Sequence, residues 1–273
     1  MDFRAGSHNL NDMVNAVQKV AKVLFRDFGE IQQLQNSHNG VNKFALHTKN
    51  RIEEMLVKEL KLFKPKYGYM TSSEKERGSD ISHTFIIDAL NGVDNFSRGI
   101  PHFCISVALQ EQNKIIAGVV YNPVSDMMYY AEKGAGAFFR EARSSRRIRV
   151  GQHTNLDDAL VCFSTSTEKA ENAIKTPQLS RVINHLAMKG RYFGCPAMDL
   201  AYTADNKNDA FVGYNESLFG LAAPLLIFKE AGGSLQAYDS EGNKEKDALF
   251  YADFLVASNE KMSEKLSNFL FDK

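Results

Sequence analysis

Between positions 9 and 28, apolar residues recur every three or four places (Met13, Val17, Val20, Ala21, Leu24, Phe28), a spacing that predicts an amphipathic helix. The same period returns over 48–63, with Ile52, Met55, Leu56, Leu60 and Phe63 on one face. From Thr84 the pattern shortens to apolar runs at 85–87, 104–109, 115–121 and 127–132. Turn residues such as Asn122-Pro123 and Lys133-Gly134 separate these runs, which predicts an antiparallel meander. The pattern breaks around 151–155, so we expect two halves, 1–152 (α+β) and 153–273 (α/β), packed intimately as one unit. In the second half, strand signals at 160–164, 191–193, 210–213, 235–238 and 254–258 alternate with helical ones at 176–189, 197–204, 222–231 and 261–270. Layers of helices and sheets are the expected architecture.

Composition adds bounds. A chain of 273 residues with 44% hydrophobic residues can bury a large core. Thirty-three basic residues balance thirty-three acidic ones, so net charge implies neither nucleic acid nor membrane as an obligate partner. Cys104, Cys162 and Cys195 are odd in number and widely spaced, which fits free thiols in a reducing compartment. Met1-Asp2-Phe3-Arg4-Ala5 lacks the build of a signal peptide, and no apolar run approaches the roughly 20 residues that span a bilayer. The expectation is a cytoplasmic protein.

The chemistry concentrates in Phe85-Ile86-Ile87-Asp88-Ala89-Leu90-Asn91-Gly92-Val93-Asp94-Asn95-Phe96. A buried strand delivers the Asp88 carboxylate onto a glycine-containing turn. Alone, such an aspartate also fits a simple turn or helix cap. The stretch resembles the metal-binding signature of the inositol monophosphatase family, D-P-[IL]-D-G-T-x-N-F. Further resemblances follow in order: Gly99-Ile100-Pro101-His102-Phe103, Gly118-Val119-Val120-Tyr121-Asn122-Pro123, Lys133-Gly134-Ala135-Gly136, Arg147-Ile148-Arg149-Val150, and Lys229-Glu230-Ala231-Gly232-Gly233. Several spaced motifs in order are far more specific than any one glycine pattern. The resemblance is to members of the bacterial extragenic-suppressor type. It implies an α+β fold, the layered α-β-α-β-α sandwich of the inositol monophosphatase and fructose-bisphosphatase superfamily, and commonly a homodimer. It also implies magnesium-dependent phosphomonoester hydrolysis, with clustered carboxylates holding the metal.

The same resemblance exposes departures. Asp88 and the Leu90 carbonyl stand at metal-ligand positions, but Asn91 replaces the next aspartate and Val93 the catalytic threonine. Ser72 and Ser73 fall on the paired glutamates, unless a slip lets Glu74 fill one of them. Phe219-Gly220 takes the place of a Trp-Asp pair, so the carboxylate at Gly220 is missing, and Lys49 replaces another aspartate. On the substrate side, Gly92, Gly194 and Cys195 match binding positions, and Gly213 stands where a glutamate commonly meets ring hydroxyls. One carboxylate beside a lysine cannot offset two or three magnesium ions in a partly buried site. We therefore expect a weakened or lost metal site in which Lys49 pairs with Asp88 as counter-charge.

Two functional classes follow: a binding or regulatory protein without metal-dependent hydrolysis, or an active magnesium-dependent phosphatase of inositol monophosphate or a related sugar phosphate. Glu74, Asp94 or Glu216 would be the second class's substitute ligands. Backbone amides at the helix start near Gly194 offer a third possibility, anion binding without turnover. Cys195 is weighed as a nucleophile, but neither a helix start nor a base partner is legible beside it; His102 reads as structural. Arg140, Arg143, Arg146, Arg147 and Arg149 form the densest basic run, read as a solvated hairpin, with phosphate-backbone contact as the alternative. Some bacterial relatives partner with transcription machinery, so a protein partner is considered, while nucleic acid and membrane are not expected.

Overall fold

A computed structural model of the chain describes residues 7–34, 38–142, 144–165, 189–245 and 253–271. Two long helices, α1 (His8–Leu34) and α2 (His38–Phe63), lead into an eight-stranded sheet. Its strands are β1 (Tyr67–Met70), β2 (Lys75–Glu76), β3 (Asp80–Asn91), β4 (Cys104–Glu111), β5 (Lys114–Asn122), β6 (Met127–Glu132), β7 (Gly136–Glu141) and β8 (Ser144–Arg147), in the order β2-β1-β3-β4-β5-β6-β7-β8. The expected meander is present from β3 to β8; β1 joins it parallel to β3. A short helix, α3 (Val93–Ser97), follows β3.

The second sheet orders β10 (Gly190–Arg191), β9 (Val161–Thr165), β11 (Ala210–Tyr214), β13 (Phe254–Ser258) and β12 (Ser234–Tyr238). Between them run α4 (Pro196–Ala204) and α5 (Leu218–Glu230), and α6 (Glu260–Phe271) closes the chain. The helix expected at 176–189 lies, but for Lys189, outside the described residues.

Three apolar clusters account for the layering. Val17, Leu24 and Ile52 of α1 and α2 pack on Ile87, Val107 and Val119 of the first sheet. Its opposite face, with Ile86 and Val120, meets Met198, Leu200, Leu225 and Phe228 of α4 and α5. On the far side of the second sheet, Val161, Val212 and Val256 cover Met262 and Leu266 of α6. The result is the expected α-β-α-β-α sandwich.

Helix α2 begins ten residues before the expected start. Gly40 and the asparagines around it are poor helix formers, yet Val41 and Ala45 are buried in the first cluster, so packing overrides propensity. Helix α5 begins at Leu218 although Pro224 sits within it. Ser217 caps it, its Oγ accepting from the Phe219 N–H at 3.2 Å. At its other end Glu230 accepts from the Gly134 and Gly136 N–H groups at 2.8 and 2.9 Å, tying the β6–β7 turn to α5.

The arginine run serves this framework. Arg146 reaches buried Asp205 at the end of α4 at 2.6 Å and lies over the Phe139 ring, while Arg140 stands 3.9 Å from Asp126. These two are committed to ion pairs that fasten the hairpin. Among the described residues, no helix is long and apolar enough to cross a membrane.

Candidate functional site

Strand β3 carries a bulge: Asp88 faces Ser106 and Asn91 faces Cys104 across β4, so three steps on one strand match two on the other. In a regular strand, residues three apart point to opposite faces. The extra residue turns both side chains to one side, and the Asn91 Nδ2 donates to Asp88 Oδ2 at 2.9 Å. Gly92 then turns the chain with φ +87°, and a Cβ there would stand 2.9 Å from the His102 carbonyl oxygen. Only glycine suits both the left-handed backbone and that approach.

Asn91 is committed at its other end too. Its Oδ1 accepts from the Ala197 N–H at 3.1 Å and from the Cys195 thiol at 3.2 Å. The amide therefore bridges β3 to the first turn of α4. Gly220, on α5, abuts the same group: a Cβ there would lie 2.8 Å from Asn91 Nδ2 and 3.6 Å from Asp88 Oδ2. The two positions where the resemblance implies carboxylates thus face each other beside Asp88, one as an amide and one without a side chain.

Around Asp88 opens a cleft of about 590 Å³, lined by residues from elements of both sheets and the segments that join them. Lys49, Ser72, Leu90, Gly92, Val93 and Asp94 line it on the side of the first sheet, with Ser164, Thr165, Tyr192, Gly194, Pro196, Glu216, Ser217 and Phe219 on the side of the second. The structure therefore brings together most of the positions singled out in the sequence.

It corrects others. Cys195 does not face the cleft: it is fully buried behind the wall, its Sγ 3.8 Å from that of Cys104. It does stand at a helix start, as the residue preceding α4. Burial nevertheless pushes its thiol well above the usual range, which removes the thiolate a nucleophile needs. Glu74 opens instead onto a neighbouring cavity of about 640 Å³, shared with Glu53, Lys61 and Tyr69. Among the described residues no ion pair joins Lys49 to Asp88; the direct partners of that carboxylate are Asn91 and the Leu90 N–H, the latter at 3.3 Å. Nor does the start of α4 offer a ready anion site, because Pro196 has no N–H, that of Ala197 serves Asn91 and that of Met198 serves Cys195.

Charge in the cleft follows from burial. Loss of hydration pushes the Asp88 carboxyl above its ordinary value; the Asn91 amide, the Lys49 charge and the Leu90 N–H pull it back, and Glu53 pushes it further up. Burial likewise raises Glu216 to about 7, against hydrogen bonding from Ser164 and Ser217. Glu53, on α2, is buried and accepts from the Ser73 hydroxyl. Sequence reasoning missed it, although a glutamate between buried Ile52 and Leu56 marks the edge of the apolar face. His102 pairs with buried Asp199 at 2.9 Å, in keeping with a structural role.

A magnesium centre here would draw on the oxygens of Asp88, Asp94 and Glu216, which line the same cleft. That ion takes hard oxygen ligands in near-octahedral array, whereas Asp88 spends Oδ2 on an amide, Gly220 supplies nothing and Lys49 brings positive charge. Among the described residues, no three Asp, Glu, His or Cys side chains form a group able to hold a metal ion.

Comparison with known proteins places this geometry. The model of the inositol monophosphatase family matches residues 8–269. An inositol-1-monophosphatase of Rhizobium meliloti is 38% identical over 264 residues, 96% of each chain. The Nus factor SuhB of Xylella fastidiosa is 31% identical, with 82% of this chain and 80% of that protein covered. The crystal structure of the extragenic suppressor protein SuhB from Bartonella henselae superposes with a TM-score of 0.81 at 33% identity, over 97% of this chain and 98% of that one. Motifs, fold and sequence agree, and the chain belongs to the inositol monophosphatase family.

Proposed function

We propose that this chain is a binding or regulatory member of the family whose cleft has lost metal-dependent phosphomonoester hydrolysis. The observation that carries the reading is the commitment of Asn91. Its amide occupies Asp88 on one side and α4 on the other, against a glycine where a side chain would have to project. Val93 adds to this, since valine keeps the shape of threonine without a hydroxyl to orient a water. Each change removes a charge or a proton-handling group, and they meet at one point. The cleft remains open and polar, so a small ligand is held without turnover. A protein partner fits this role as well, because relatives with about 25–31% identity bear the name Nus factor.

A second reading, an active magnesium-dependent phosphatase for inositol monophosphate or a related sugar phosphate, is favoured by the relatives named inositol-1-monophosphatase. Asp94 and Glu216, which share the cleft with Asp88, would be its substitute ligands. Calorimetry with millimolar magnesium, run beside an inositol 1-phosphate hydrolysis assay, separates the two. The expected result is neither saturable heat nor phosphate release. Saturable binding with turnover would overturn the first reading.

A further inference from the structure

Two cysteines meet behind the cleft. Cys104 opens β4, where it faces Asn91 across the ladder, and Cys195 immediately precedes α4. Both are fully buried, and their sulfurs lie 3.8 Å apart although 91 residues separate them along the chain. That is close to contact; a disulfide, at about 2.05 Å, asks each sulfur to shift by about an ångström. Cys162, by contrast, is engaged by the Asn208 amide. The two thiols differ in access. Cys104 is held in a strand between β3 and β5. Cys195 follows an exposed stretch, with Tyr192 57% and Phe193 38% accessible, so the chain passes from solvent into the core at this residue. Opening of one turn at the start of α4 brings the Cys195 sulfur to the surface.

We propose that Cys104 and Cys195 form a redox latch at the back wall of the cleft, closing to a disulfide under sustained exposure to a peroxide and reopening with a small thiol. In the closed structure burial keeps both thiols protonated, so the reaction waits on opening at α4 and answers to lasting oxidation. The exposed Cys195 sulfur attacks a peroxide oxygen: the S–O bond forms, the O–O bond breaks, and the hydroxide departs as water with the thiol proton. Once the turn closes, the Cys104 sulfur attacks the sulfenic sulfur: the S–S bond forms, the S–O bond breaks, and a second water carries off the Cys104 proton. Two thiols and one hydrogen peroxide thus give one disulfide and two waters. Two small thiols reverse it by exchange and leave as their own disulfide. The link removes the Cys195 donor from Asn91 Oδ1, which keeps the Ala197 N–H, and it fastens the first turn of α4 to β4. It stiffens the wall that positions Asn91, under either reading of the cleft.

The test incubates the reduced full chain with hydrogen peroxide under native conditions, then blocks free thiols in denaturant and maps peptides by mass spectrometry without reductant. The same chain oxidised in urea serves as the control for oxidant strength. We expect a loss of two hydrogen atoms per chain and a Cys104–Cys195 linked peptide, both reversed by dithiothreitol. Cys162→Ala should keep the link. Cys104→Ala should lose it and leave Cys195 as a sulfenic or sulfinic acid. Hydrogen exchange in the first turn of α4 should slow on the order of 10-fold in the linked chain, and not in treated Cys104→Ala. The linked chain should also melt about 5–15 °C higher, because the bond closes a long loop in the unfolded state. A native chain that keeps both thiols while the urea control is oxidised overturns the proposal. So does a link through Cys162 or between two chains, or an α4 start whose exchange is unchanged by the bond.

Discussion

Asn91 makes three side-chain hydrogen bonds, donating to Asp88 and accepting from Cys195 and Ala197. Asn91→Asp would keep the acceptor and turn the donor into a second carboxylate oxygen about 2.9 Å from Asp88. Like charges at that separation cannot both ionise comfortably. We expect a loss of about 1–3 kcal/mol in urea unfolding at pH 8, shrinking as the pH falls and one carboxyl takes a proton. Glu216 makes the complementary case. Its folded value is raised to about 7, so between about 4.5 and 7 the folded chain holds a proton that the unfolded chain has released. Stability must therefore fall as pH rises through that window. Glu216→Gln removes this contribution: the variant should match the wild type near pH 4.5 and exceed it at pH 8, read as melting temperature against pH. Equal slopes for both proteins would contradict the burial argument.

At the level of elements, two anchors set the cleft's second wall. Ser217 caps α5 immediately after Glu216, and Ser217→Ala should cost about 1 kcal/mol through the lost N-terminal bond. Arg146 holds β8 against the end of α4 through Asp205, which also accepts from the Tyr129 hydroxyl at 3.2 Å and lies 3.1 Å from Lys207. Arg146→Ala leaves that buried carboxylate with weaker compensation, at an expected cost of about 1–3 kcal/mol in denaturant unfolding. A basic side chain that served only solvent or a phosphate backbone would show almost no change. The bulge in β3 is the element on which the site depends, since without it Asp88 and Asn91 would point to opposite faces.

For the whole molecule, elements that lead into both sheets line the cleft, so a ligand bound there favours the folded state. A ligand that binds only the folded state at about 100 times its Kd adds about 2.7 kcal/mol. On the reading proposed above, magnesium at about 10 mM should leave the melting temperature within about 1 °C of that in EDTA, because Asn91, Gly220 and Lys49 stand where further carboxylates would be needed to hold the ion. A rise of several degrees would mean that Asp94, Glu216 or residues outside the described segments rebuild a metal centre.

The helical and strand periods determined that helices and sheets are layered, because amphipathic faces must bury against one another; the α-β-α-β-α order came from the family resemblance that the glycine turns and the Phe85–Phe96 stretch carry. The identities of Asn91, Val93 and Gly220 were likewise legible in the sequence, and with them the expectation that groups of the family signature are replaced there. Where the remaining groups point was decided only in three dimensions. An added residue in a strand leaves no periodic trace, so the bulge that joins Asp88 to Asn91 was hidden. Cys195 read as a cleft residue until packing set it behind the wall, and Lys49 acts on Asp88 through its field instead of by contact. Glu216 Cγ lies 3.2 Å from where a Cβ on Gly213 would stand, a closeness between two positions that appears only once β11 and its following loop are folded against each other.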